Sequence, residues 1–237
     1  MANEYETSVI DIIKRTHNVI SVRLKKEQGT TFKAGQYLFV TFKKEGKELS
    51  KVFSISNSPT EEGYIEFTKK LSESEFSKSL RELKNGDWAR LKLPFGKFTF
   101  EGEHKKIAFV SGGIGITPIR SICKFSTDTK INSDIVLLYS NLRPEDIAFK
   151  DDLDRMQQEN KNLKVIYTIT CPEVIPNWQG LTGYINENMI VKQMPDIKER
   201  VFYLCGPPKM VELIGHILKE KLGIESHKII TESFAGY

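Results

Sequence analysis

The hydrophobic pattern of this chain changes period once, near residue 102, and that change restricts the fold more than any other feature. Before it, short runs alternate apolar and polar residues: QYLFVTF (Gln36 to Phe42), YIEFTKK (Tyr64 to Lys70) and WARLKLPFGKFTF (Trp88 to Phe100). Successive side chains of a strand point to opposite faces, so these runs read as half-buried strands, with Gly, Asn, Ser and Pro marking the turns between them. After EGEHKK (Glu101 to Lys106) the runs become nearly continuous: IAFVSGG, DIVLLYS, LKVIYTIT, RVFYLCG and KIITESF. Helical segments such as AFKDDLDRMQQEN and PKMVELIGHILKEKL separate them. Strands of a parallel sheet covered by helices on both faces have this composition. The 237 residues are therefore expected to form two domains. Residues 1–102 should be an antiparallel Greek-key β-barrel, and residues 103–237 an α/β doubly wound parallel sheet.

Charge and cysteine usage exclude several classes of function. The formal charge is +4, and acidic and basic residues are mixed along the chain, so no nucleic-acid footprint stands out. Lysine pairs such as Lys25-Lys26 and Lys43-Lys44 read as solvated faces. Cys123, Cys171 and Cys205 lie far apart with no Cys-x-x-Cys pair, which argues against zinc, iron–sulfur and disulfide frameworks. Any metal centre is expected on another protein. Glu4, Glu6 and Asp11 interrupt the apolar residues of the first segment, unlike a secretory signal, and no run approaches ~18 apolar residues. No membrane span is expected, and the cytoplasm is the expected compartment.

The stretch FVSGGIGITPIRSI, Phe109 to Ile122, places a glycine turn directly after the first parallel strand. Gly112, Gly113 and Gly115 would let a pyrophosphate approach backbone N–H groups at a helix start. Pro118 stands where the last glycine of Gly-x-Gly-x-x-Gly is usual, and suits the first turn of a helix. Alone, this turn is equally compatible with a strand-to-helix connection that binds nothing. A second segment, YLCGPPKMVE, puts Cys205 and Gly206 at another strand end before a helix. Ligands of open parallel sheets collect beyond the carboxyl ends of the strands, so Thr117 and Cys205 are expected at one crevice.

Four segments in order then resemble the ferredoxin–NADP reductase superfamily over nearly the whole chain. KVFSISNS (Lys51 to Ser58) resembles its flavin motif Arg-x-Tyr-Ser, and GGIGITP (Gly112 to Pro118) its nicotinamide-dinucleotide motif. CGPPKM (Cys205 to Met210) resembles its Cys-Gly-Pro motif and ESF (Glu232 to Phe234) its C-terminal acid–aromatic element. The resemblance implies FAD in the barrel and NADPH or NADH in the second domain. Lys51, Val52, Phe53 and Ser54 would line the flavin, with Phe53 stacked on the ring and Ser54 hydrogen-bonded near N5. Lysine replaces the family's arginine at Lys51, trading a two-pronged grip for a point charge, and Phe53 replaces a tyrosine. Thr68, Lys69 and Lys70 would complete the site. SESEFSKSL matches the pyrophosphate-binding helix start, with Ser72 and Glu75 as a capping pair and N–H donors around Phe76 and Ser77.

The same resemblance assigns Gly112, Gly113, Gly115, Thr117, Pro118, Cys205, Gly206 and Met210 to the coenzyme. Thr117, Cys205 and Glu232 would frame the nicotinamide, and Phe234, or else Tyr237, would cover the flavin. Ser54, Cys205, Glu232 and Phe234 are thus the expected catalytic residues, with no metal. Thr170 should end the strand beside the adenosine ribose, where it repels no phosphate, and Arg143 is placed to reach one. The implied activity is hydride transfer from NAD(P)H to bound FAD, with electrons passed to a separate carrier such as ferredoxin, flavodoxin or an oxygenase component. The alternatives are a reductase of free flavin or ferric chelates, and an electron-transfer subunit with a vestigial nicotinamide site.

Overall fold

The computed structural model describes residues 2–171, 173 and 175–233. It separates into two compact units, Met1–Glu101 with Thr117–Asp128, and Gly102–Ile116 with Thr129–Tyr237.

The first unit is built on β1 (Asn3–Lys14), β2 (Val19–Lys25), β3 (Tyr37–Lys44), β4 (Lys47–Ser54), β5 (Tyr64–Lys70), helix α1 (Glu75–Glu82) and β6 (Trp88–Phe95). The strands run antiparallel in the order β4-β3-β6-β1-β2-β5. An antiparallel bridge between Ile55 and Phe67 brings the end of β4 to β5, so the two outer strands meet and the sheet closes on itself. The alternating pattern sends Leu38, Val40 and Phe42 of β3, Ile65 and Phe67 of β5, and Leu91 of β6 into one core. Helix α1 adds Phe76 and Leu80 to it, four residues apart and therefore on one helix face.

A polar cluster is buried on the opposite face of β2 and β5, where alternation turns Ser21, Arg23, Glu66 and Thr68 away from that core. Glu66 of β5 is 1% exposed. It pairs with Arg15 at 3.0 Å and Arg23 at 2.9 Å and accepts from the Ser56 hydroxyl at 2.9 Å. A buried carboxylate persists only when paired and hydrogen-bonded, and here both conditions are met.

The second unit contains β7 (Lys106–Gly112), the start of α2 (Ile116–Asp128), β8 (Asp134–Asn141), α3 (Lys150–Glu159), β9 (Leu163–Ile169), β10 (Leu181–Thr182), α4 (Glu187–Gln193), β11 (Val201–Gly206), α5 (Pro208–His216) and β12 (Ile229–Ser233). All six strands pair in parallel, in the order β10-β9-β8-β7-β11-β12. The chain moves outward from β7 through β8 and β9, then returns past β7 to β11. The strand order therefore reverses between β7 and β11, where an open α/β sheet forms its ligand crevice. Ala108, Val110, Val136, Leu138, Phe202 and Leu204 pack with Ile190 of α4 and with Val211 and Ile214 of α5. The antiparallel barrel and the parallel doubly wound sheet are the two architectures that the change of period predicts.

Candidate functional site

In the first unit, the candidate residues gather on β4 and beside it. Phe53 is half-buried, its ring stacked on Phe67 with centroids 4.8 Å apart and tilted against Phe76 at 5.5 Å. Lys69 places its ammonium 5.8 Å from the centre of the Phe53 ring. Burial, and secondarily the charge of Lys51, lowers the pKa of Lys69. Lys69 thus holds its charge at a cost that an anion beside it would relieve. Next on the strand, Ser54 is 2% exposed, and its Oγ has no hydrogen-bond partner among the described residues. A buried hydroxyl left this way costs on the order of 1–3 kcal/mol unless something else completes it. A flavin stacked near Phe53, offering N5 or a carbonyl edge to Ser54 and its phosphates to the two lysines, fits these residues.

Other candidates behave differently. Thr68 is buried and its hydroxyl bonds Ser21 at 2.7 Å and Ser56 at 2.9 Å, so it serves the internal polar cluster. Val52 and Lys70 are exposed. Helix α1 is capped by Ser74 rather than by the expected Ser72–Glu75 pair: Ser74 Oγ accepts from Ser77 N at 3.3 Å. The chain is still extended at Ser74, with ψ of 152°, so the helix starts later than the Ser-x-x-Glu spacing suggests. The Ser77 N–H is thereby engaged, and Phe76 stands ahead of it in the first turn.

Several residues that the motif reading passed over hold the KVFSIS strand in place. Ser56 N donates to Glu66 O at 2.7 Å, and Asn57 Oδ1 accepts from Glu66 N at 2.7 Å. From α2, Ser121 Oγ donates to Asn57 O at 2.7 Å, and Arg120 forks onto Glu61 and reaches Ser56 O at 3.3 Å. Arg120 is 5% exposed. Burial pushes the Glu61 carboxyl up, but the hydrogen bonds and charge of Arg120 outweigh it and hold that carboxyl below its ordinary value. Thr117 and Pro118 lie buried in the first turn of the same helix.

In the second unit, the candidates collect at the carboxyl ends of β7, β11 and β12, on the two sides of the strand-order reversal. The glycines there divide into two roles. A Cβ on Gly115 would lie 2.4 Å from Cys205 O and 2.5 Å from Gly206 Cα, and one on Gly112 would lie 2.6 Å from Met210 Sδ. These glycines let the turn after β7 press against the end of β11. Gly113 is different: its φ is +54°, and a Cβ there would meet nothing within 4 Å. It is the open point of the turn, where a phosphate would arrive.

Ser111, Cys205 and Glu232 occupy matching register positions on three adjacent strands. Parallel register puts them side by side on one face. Burial raises the Glu232 carboxyl from 4.5 to about 7, and its Oε2 has no partner among the described residues. Burial, and then the neighbouring Glu232, pushes the Cys205 thiol well above its ordinary range. Cys205 is therefore a neutral thiol and not a nucleophile. Ser111 Oγ is also buried without a partner among the described residues. The row brings together a carboxyl whose pKa burial raises to about 7, a thiol and a hydroxyl, polar groups suited to a carboxamide.

Arg143 and Thr170 lie at the neighbouring ends of β8 and β9, where Thr170 N donates to Asn141 O at 2.9 Å. Arg143 pairs with Glu173 at 2.7 Å. That acid lies three residues beyond Thr170, past the strand end at which a ribose-binding carboxylate is expected. Phe234 and Tyr237 lie outside the described residues.

Residues 6–100 match the family model described as the oxidoreductase FAD-binding domain, and residues 109–216 the oxidoreductase NAD-binding domain. A subunit of the Na(+)-translocating NADH-quinone reductase of Pseudoalteromonas atlantica is 30% identical over 207 residues, 80% of this chain and 50% of that protein. An NADH-cytochrome b5 reductase-like protein of Arabidopsis thaliana is 34% identical over 173 residues, 71% of this chain and 52% of that protein. The chain thus spans about half the length of the curated relatives it matches. Among solved structures, a ferredoxin reductase in carbazole 1,9a-dioxygenase superposes with a TM-score of 0.84 at 25% identity, over 98% of this chain and 70% of that one. With an FAD-binding barrel followed by an NAD(P)H-binding sheet, both matched in sequence and in fold, the chain belongs to the ferredoxin–NADP reductase superfamily of flavin oxidoreductases.

Proposed function

We propose that this protein is the reductase of a multi-protein electron-transfer system: it takes hydride from NADH or NADPH onto bound FAD and hands the electrons to a separate carrier protein. Residues 1–102 form its flavin-binding domain, residues 103–237 its coenzyme-binding domain, and the cytoplasm is its compartment. The observation that carries the reading is Ser54, a buried hydroxyl without a partner among the described residues, on the strand that also presents Phe53.

Phe53 holds the flavin plane, Lys51 and Lys69 neutralise its phosphates, and Ser54 orients its N5 edge. Bound FAD supplies a two-electron acceptor that can release electrons singly, which matches a two-electron coenzyme to a one-electron carrier. The Gly113 turn receives the coenzyme pyrophosphate, while Cys205 and Glu232 orient the carboxamide of the nicotinamide. Their contribution is alignment, because hydride transfer requires the reacting atoms at about 3–3.5 Å. Phe234, or else Tyr237, is proposed to cover the flavin until coenzyme arrives. The carrier assignment draws on relatives whose names describe part of a quinone reductase and a ferredoxin reductase in a dioxygenase.

The test begins with chromatography of the flavin released from purified protein, where FAD is expected. Anaerobic NADH and NADPH should then bleach the bound flavin. Reoxidation by ferredoxin or flavodoxin should outpace reoxidation by free flavin or ferric citrate. A colourless protein that takes up no flavin, or bound flavin that neither coenzyme reduces, would overturn the reading. Faster reoxidation by free flavin would leave the hydride step and remove the carrier.

A further inference from the structure

We propose that Tyr139 is a positioning residue of the coenzyme site, whose buried hydroxyl ties the glycine turn after β7 to the neighbouring strand β8 and so fixes the shape that receives the pyrophosphate. The inference rests on the nucleotide-binding reading of the second unit. Tyr139 lies on β8, in register with Ser111 of β7 and Tyr167 of β9. It is fully buried, and its hydroxyl donates to the Gly113 carbonyl at 2.9 Å. Burial raises its pKa, so the proton stays in place at any physiological pH.

The Gly113 carbonyl is the group that most needs control. Gly113 is the open, left-handed point of the turn, and a phosphate arriving there is attracted by N–H groups and repelled by carbonyl oxygens. The carbonyl already accepts from Ile116 N, which closes the short 3-10 turn Gly113–Gly115. Tyr139 occupies its remaining acceptor capacity and anchors it against the sheet.

Tyr139→Phe keeps the ring and removes the link. Tyr167→Phe is the control: its ring lies on the same sheet face, 6.3 Å from Tyr139, but its hydroxyl donates to Asp154 of α3 at 2.7 Å. Affinity for NAD+ and for ADP-ribose would be measured by calorimetry on the FAD-loaded full chain. FAD content and the limiting rate of flavin reduction at saturating NADH would be read alongside. Tyr139→Phe should weaken both ligands about tenfold, the loss of roughly one buried hydrogen bond, with FAD content and limiting rate within about twofold of the parent. Amide exchange should quicken in 112–116, the turn that the hydroxyl holds. Tyr167→Phe should leave the affinities unchanged. Unchanged affinity in Tyr139→Phe, equal weakening in both variants, or a slower limiting rate at unchanged affinity would each overturn the assignment. A parent chain that binds neither ligand would instead overturn the coenzyme reading itself, and the role of Tyr139 with it.

Discussion

Replacing Glu232 with glutamine should abolish a pH dependence that this carboxyl imposes on stability. The side chain ends β12 beside Cys205, with Oε2 buried and without a partner among the described residues. Burial raises its pKa from 4.5 to about 7. Between these values the folded chain keeps a proton that the unfolded chain has released. The folded state therefore binds more protons, and stability falls as pH rises from about 4.5, levelling off above about 7. At ~1.4 kcal/mol per pH unit the full difference is roughly 3 kcal/mol, reduced by the solvent that still reaches this partly buried group. Glutamine keeps the size and loses the titration, while its extra N–H donors add a cost independent of pH. The assay is urea unfolding of parent and variant, followed by circular dichroism from about pH 5 to about pH 8. The variant should gain on the parent by up to roughly 3 kcal/mol across that range. A constant difference, or one that moves against the variant as pH rises, would show that Glu232 is ionised in the folded chain and refute the reasoning. The same variant should retain FAD and reduce it more slowly with NADH. An unchanged stopped-flow rate would remove Glu232 from the nicotinamide site.

Phe53→Ala should weaken FAD retention by the roughly 0.5–1.5 kcal/mol of an aromatic stack plus the lost burial, read as an increased dissociation constant; no change would misplace the flavin. Arg120→Met strands the Glu61 carboxylate and should cost the first unit about 3–5 kcal/mol, seen in thermal unfolding, and a loss below about 1 kcal/mol would mean the pair is solvated. Both coenzymes should support turnover, since Thr170 is no acid; an NADH preference above about a thousandfold in kcat/KM, roughly 4 kcal/mol, would contradict this. Thr170→Asp should depress NADPH use far more than NADH use. Glu173→Gln should have the opposite effect by releasing Arg143 from its 2.7 Å partner. Equal effects on the two coenzymes would place the ribose elsewhere.

What the sequence revealed and what it concealed follow from the range of the interactions involved. Strand alternation in QYLFVTF and continuous apolar runs such as DIVLLYS depend on which faces are buried, so the barrel and the sheet were both legible from local pattern. The glycine turn was legible too, but the division of labour within it was not. Gly112 and Gly115 are small because Met210 and Cys205, some ninety residues later, press against them, whereas Gly113 is small because of its own backbone angle. The displaced cap at Ser74 belongs to the same class of error. Ser72, Ser74 and Ser77 offer competing hydroxyls within one turn, and only the path of the chain into the helix chooses among them. Glu66, Arg120 and Tyr139 escaped for a stronger reason. Each is one polar group in an otherwise ordinary strand or helix, and its role exists only through a partner far along the chain: Arg15 and Arg23 for Glu66, Glu61 for Arg120, Gly113 for Tyr139. The residues expected to touch the ligands were accessible to motif reading because their chemistry is local. Those that hold them in place are joined to them only by folding, so a variant can lose function while every motif residue remains intact.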